Sequence, residues 1–142
     1  MYRLLFLLAA TTLLAFSCTP KASVAGGMAN AKTTEMGKET TLKPGETIMV
    51  EGYTGSLTFV EVQTDSRCPE GVDCIQAGEA EVVVELPGGI KQVAKVAADY
   101  KTAKRIISGD IVVNILGLTP YPKEGKRIDA GDYKLLVSTN AL

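Results

Sequence analysis

Histidine and tryptophan are absent from the 142 residues, and aromatic residues make up only 6%. Without histidine the chain lacks the side chain that titrates nearest neutrality and most often ligates metals. Ser-His-Asp and Cys-His nucleophiles are therefore excluded, as are histidine-based zinc or copper sites. Charge of one sign is also missing: 15 Lys+Arg against 16 Asp+Glu give a net charge of -1. That leaves no basic excess to attract nucleic acid and no acidic tail. Carboxylate, lysine and tyrosine chemistry remains, with Asp65 and Asp73, or Lys95 and Tyr100, as conceivable acid–base pairs. Surface charges ordinarily serve solubility, and nothing in the sequence marks these with a perturbed environment. Gly88-Gly89 reads as a turn and matches no phosphate-binding glycine pattern. The expectation is a protein that is not an enzyme and carries no cofactor or metal.

What is present begins at the N-terminus, MYRLLFLLAATTLLAFSC. Arg3 supplies a positive charge, and Leu4 to Leu14 is apolar apart from Thr11 and Thr12. The run falls short of the roughly 20 apolar residues a membrane-spanning helix needs, so it reads as an export signal. Leu14-Ala15-Phe16-Ser17-Cys18 resembles the lipobox of bacterial lipoproteins, although Phe16 is an unusual choice there. That resemblance implies cleavage before Cys18 and lipid on Cys18, hence a membrane partner reached through the lipid. It also accounts for the odd one of three cysteines. The expected location is the bacterial cell envelope, on the outer membrane facing the periplasm, since Thr19-Pro20-Lys21 shows no acidic surface-export run.

Residues 18–39 are rich in Ala, Gly, Thr and Lys without a period of 2 or 3.6. Such a segment buries too little apolar area to offset its ordering entropy, and it reads as a flexible tether. Twenty residues of this kind span roughly 25 Å. Met28 and Met36 fall within it as solvated methionines and make a poor case for copper.

Residues 40–142 read as a single all-β domain. Pro44-Gly45 separates Thr40–Lys43 from Thr47–Glu51, and Leu57–Gln63 follows. Glu79–Leu86 alternates, with Ala80, Val82, Val84 and Leu86 on one face; Pro87-Gly88-Gly89 then turns the chain into Ile90–Ala97. Ile111–Leu116 is apolar on both faces except Asn114, as in a strand covered on both sides. Tyr133, Leu135 and Val137 share one face of a last strand. Turn signals every 8–12 residues or so predict a small Greek-key, immunoglobulin-like β-sandwich of about seven strands. Tyr133, after Asp129-Ala130-Gly131-Asp132, fits a tyrosine corner, in which the phenol bonds a backbone group a few residues upstream.

Cys68 and Cys74 lie within DSRCPEGVDCIQAGEAEV, residues 65–82. Three readings compete. A zinc site needs four ligands, commonly in two close pairs, and only one pair exists. A redox site favours C-x-x-C rather than five intervening residues. A disulfide needs Cα atoms about 4.4–6.8 Å apart, which a loop turning through Pro69 and Gly71 allows. The last is favoured, in an exported chain where such bonds persist. Asp65 and Ser66 are expected to bond nearby amides, Gly78 to take a positive φ, and Arg67 to pair with Asp65, Asp73 or Glu79.

Leu57-x-Phe59-x-x-Val62 leading into the cysteine stretch, followed by LTPYPKEGKRIDAGDYKL, resembles a group of small bacterial lipoproteins. Their pattern is D-S-R-C-P-x4-C-x-W-A-G-x-A-x-V, ending in L-x-P-Y-P and a late x-Y-x-x-x-V strand. The resemblance covers about residues 40–138, and Gln76 stands where that pattern has Trp. It implies location and fold but no activity. The resulting expectation is a membrane-anchored, non-catalytic binding or scaffolding module. Its contact loop, residues 64–79, would present Asp65, Arg67, Pro69, Asp73, Gln76 and Glu79 to a protein partner. The alternative is an inhibitor that inserts the same loop into a protease or other hydrolase.

Overall fold

The structure, a computed structural model, describes residues 30–98 and 103–142. The expected export signal and the residues Cys18, Met28 and Tyr100 lie outside the described residues. Among the described residues, nine strands form two sheets packed face to face: β1 Ala31–Thr34, β2 Thr40–Leu42, β3 Thr47–Val50, β4 Ser56–Asp65, β5 Glu79–Leu86, β6 Ile90–Ala97, β7 Lys104–Ser108, β8 Ile111–Thr119 and β9 Lys134–Ala141. One sheet has the order β1-β3-β4-β5-β6, the other β2-β9-β8-β7. The predicted all-β sandwich is therefore the architecture. In the four-stranded sheet, consecutive β7-β8-β9 with β2 beside β9 is a Greek-key order; the five-stranded sheet is largely a meander.

Alternation explains the core. Leu57 and Phe59 of β4, Ala80, Val82 and Val84 of β5, and Leu135 and Val137 of β9 are fully buried, with Tyr133 nearly so. Their odd or even neighbours face out, because successive strand side chains point to opposite faces. In β8, Ile111, Val112, Val113, Ile115 and Leu118 are all buried, as its apolar composition predicts.

Two departures concern strand count and domain start. Ala31–Thr34, expected as tether, forms β1 and pairs in parallel with Thr47–Val50. Thr34 is buried and its hydroxyl bonds that of Thr40 at 2.9 Å, while Lys32 Nζ pairs with Glu46 at 2.6 Å. Met36, expected in solvent, packs against the core. These contacts hold a segment whose composition alone would not order it. The second addition is β7, a five-residue edge strand antiparallel to β8.

The sandwich has two ends. Turns 51–55, 87–89 and 109–110 lie at one. Loops 43–46, 66–78 and 120–133 lie at the other, set there by the pairings of β3 with β4, β4 with β5, and β8 with β9. β1 runs away from this second end, so Ala31 is its residue nearest the 66–78 loop.

Candidate functional site

The 66–78 loop grows out of the β4–β5 ladder. Ser66 N donates to Glu79 O at 2.9 Å and Cys68 N to Ala77 O at 2.8 Å, continuing the pairing past the strand ends. Ser66 Oγ donates to Glu79 O at 2.8 Å. Gly78 has φ +70°, and a Cβ there would stand 1.9 Å from the Ser66 carbonyl oxygen. Only glycine fits that close crossing. Cys68 and Cys74 are joined in a disulfide with Cα atoms 6.0 Å apart. Within the ring, Val72 N donates to Pro69 O at 3.3 Å.

Arg67 decides how the loop is held, and its place differs from expectation. It was expected among the exposed contact residues, yet it is 3% exposed. Its guanidinium grips Asp65 with Nε to Oδ1 at 2.8 Å and Nη2 to Oδ2 at 2.7 Å. The same group reaches the other sheet: Nη1 donates to Leu118 O at 2.5 Å and Nη2 to Pro120 O at 3.0 Å. The Tyr121 ring lies 5.1 Å from its Cζ. A planar fork with several fixed donors can satisfy a carboxylate and two carbonyls at once, which a lysine cannot.

Asp65, also expected at the contact surface, closes the other half of this clamp. Its side chain is 9% exposed, and Oδ1 additionally accepts from Arg67 N at 3.2 Å. Tyr133 completes the arrangement. Its hydroxyl donates to Asp65 Oδ2 at 3.2 Å, sixty-eight positions away, rather than to a backbone group upstream. The tyrosine corner is thus replaced by a side-chain bond, because Asp65 brings a buried carboxylate within reach of the phenol. Burial alone would raise the Asp65 pKa, but the hydrogen bonds and charge of Arg67, with the Tyr133 hydroxyl, outweigh it and hold the carboxyl below its usual value. Burial and the Asp65 charge together push the Tyr133 phenol up.

Further out, Glu70 N donates to Pro122 O at 2.9 Å, and Lys123 Nζ stands 3.4 Å from Glu70 Oε2. The two quoted stretches, DSRCPEGVDC and LTPYPK, are therefore one structural unit: the cysteine loop rides on the 118–123 segment through Arg67 and Glu70. A shallow cleft of about 380 Å³ opens beside it, lined by Asp65, Pro122, Lys126, Arg127 and Tyr133 among others.

The remaining expected contact residues separate from this clamp. Pro69 is half-buried, while Asp73 and Gln76 are exposed at the ring. Glu79 begins β5 and pairs with Lys95 on β6 rather than with Arg67. Lys95 lies 3.7 Å from Glu81 as well, and its bond to Glu79, then the Glu79 charge, raise its pKa. That cross-strand cluster does not include Asp73 or any group of the clamp. Sequence reasoning missed Ile75, which is entirely exposed directly after Cys74. Its apolar type argued for burial; the signal against burial was its position between a stapled cysteine and Gln76. No family model, curated protein or solved structure matches the chain.

Proposed function

We propose that the protein is a lipid-anchored, non-catalytic binding module of the bacterial envelope, with the 68–77 part of the loop as its contact surface. The observation that carries this reading is the construction of the loop. A covalent ring stands on a buried ion pair that ties both sheets together, so the loop is ordered before any partner arrives. Ordering entropy already lost in the free protein is not lost again on binding. The lipid on Cys18, supported by the lipobox, would hold the module at the membrane, and no step of chemistry is assigned to it.

The proposed contact residues lie further out than those first expected, because Arg67 is buried and Asp65 half-buried in the clamp. Asp65 and Arg67 serve as the base, and Pro69, Asp73 and Gln76 stay in the contact set. A second reading keeps the same loop and makes the partner a hydrolase. The exposed, disulfide-closed ring favours it, and assay against cysteine proteases, serine proteases and lysozymes decides: no inhibition at micromolar concentration removes it.

The main reading is tested by fractionating cells that produce the full chain with or without Cys18→Ser. Native co-purification then follows, before and after reduction of the disulfide. Membrane partition lost in the variant, and a protein retained in fixed ratio until reduction, are the expected results. A wild-type chain found in the soluble fraction, or a partner indifferent to reduction, contradicts the reading.

A further inference from the structure

The exposed surface of the stapled loop is not evenly polar. Ile75 has 103% of its reference accessibility, and Val72 is 37% exposed. Three other exposed aliphatics are part of strand ladders, Ile90 opposite Leu86, Val93 opposite Val83 and Ile107 opposite Val112, and Leu142 directly follows β9. Ile75 lies in no strand and has no cross-strand neighbour. Single exposed apolar residues are ordinary on protein surfaces. This one directly follows Cys74, the residue that closes the disulfide ring, on a loop anchored at its other side by Arg67.

The charges beside it are also uneven. Glu70 is paired with Lys123, whereas Asp73 is exposed and makes no hydrogen bond or ion pair among the described residues. The stapled loop therefore offers a bare aliphatic side chain two positions from a bare carboxylate. We propose that Ile75 is the anchor of a protein–protein contact: it seats in an apolar pocket of a partner protein whose rim carries a lysine or arginine facing Asp73. A desolvated pocket for one large side chain, flanked by complementary charge, is the form in which a few residues carry most of an interface's energy. The acidic character of the ring opposes docking on anionic lipid headgroups, which select Lys and Arg.

This proposal rests on the binding-module reading, and the experiment separates the two. A photo-crosslinking phenylalanine analogue is placed at Gln76, leaving Ile75 intact, and in a second strain at Val93 on the outer face of β6. Cells are irradiated, adducts are identified by mass spectrometry, and the partner is produced and titrated with wild type, Ile75→Asp and Asp73→Asn. The expected result is a protein adduct from position 76 and none from position 93. Ile75→Asp then weakens Kd by about tenfold or more. Asp73→Asn weakens it less and flattens its salt dependence. Because Ile75 touches no core residue, Ile75→Asp keeps the wild-type thermal midpoint, which excludes misfolding as the cause. Adducts only at 93, with none at 76, overturn the anchor and the 68–77 contact surface and leave only the lipid-anchored binding module standing. Adducts at 76 confined to lipid overturn it in favour of the bilayer. An unchanged Kd for Ile75→Asp overturns it outright, and no adduct at either position overturns both readings.

Discussion

Replacing Arg67 with alanine is expected to destabilise the domain by about 3–5 kcal/mol, the range for removing one member of a buried ion pair. The structure says why the effect belongs at that end of the scale and not with surface pairs, which contribute about 0.2–1 kcal/mol. Arg67 is 3% exposed, and the partner carboxylate of Asp65 is 9% exposed. Truncation strands that charge with only the Tyr133 hydroxyl and a backbone N–H, and takes the donor from the carbonyls of Leu118 and Pro120. For a domain of this size each kcal/mol moves Tm by about 4 °C or more, so a fall of at least about 12 °C is expected. The chain has no tryptophan, so unfolding is followed by far-UV circular dichroism. Arg67→Lys keeps the charge but loses the fork, and recovers only part of the loss. The double variant Asp65→Asn/Arg67→Met strands no charge and is expected to be more stable than Arg67→Ala. A loss below about 1 kcal/mol for Arg67→Ala, or Arg67→Lys indistinguishable from wild type, would refute the reasoning.

Gly78→Ala places a Cβ against the Ser66 carbonyl at a positive φ, and is expected to lower stability by at least about 1–3 kcal/mol in urea denaturation; a neutral result contradicts the close crossing. Reducing Cys68–Cys74 releases a seven-residue ring, worth about 2 kcal/mol on the chain-entropy account, read from urea midpoints with and without reductant; equal midpoints contradict it. The depressed pKa of Asp65 gives a pH dependence of defined sign. A carboxyl lowered in the folded state stabilises fully above its unfolded value, about pH 4, and loses that contribution as pH falls through the folded value. Stability measured from pH 6 down to pH 2 therefore falls less steeply in Asp65→Asn than in wild type, and parallel curves contradict the clamp.

The parts of the fold that could be read from sequence are those in which a local pattern coincides with its tertiary environment. The β5–β6 hairpin is the clearest, because clean alternation in Glu79–Leu86 meets a Pro87-Gly88-Gly89 turn, and its strand limits match. β1 was hidden because four residues without a repeat become a strand only beside β3, and β7 because KRIIS is too short to show a period. Gly78 was legible since a glycine after a stapled loop points to a close approach, which the Ser66 carbonyl supplies. The burial of Arg67 was not legible. Its partners Leu118 and Pro120 are more than fifty positions away, and nothing local distinguishes a clamped arginine from a solvated one. Tyr133 was read as a tyrosine corner; it stands just before β9, and its hydroxyl bonds a side chain that only the folded β4 delivers.

The most direct test of the account is the intact mass of the protein purified from native membranes and alkylated with and without prior reduction. The account predicts acyl mass on an N-terminal Cys18, no alkylation before reduction, and two alkylated thiols, at Cys68 and Cys74, after it. Free alkylation of Cys68 and Cys74 in the native protein, or an unmodified Cys18, would contradict a lipid-held module that presents a stapled loop.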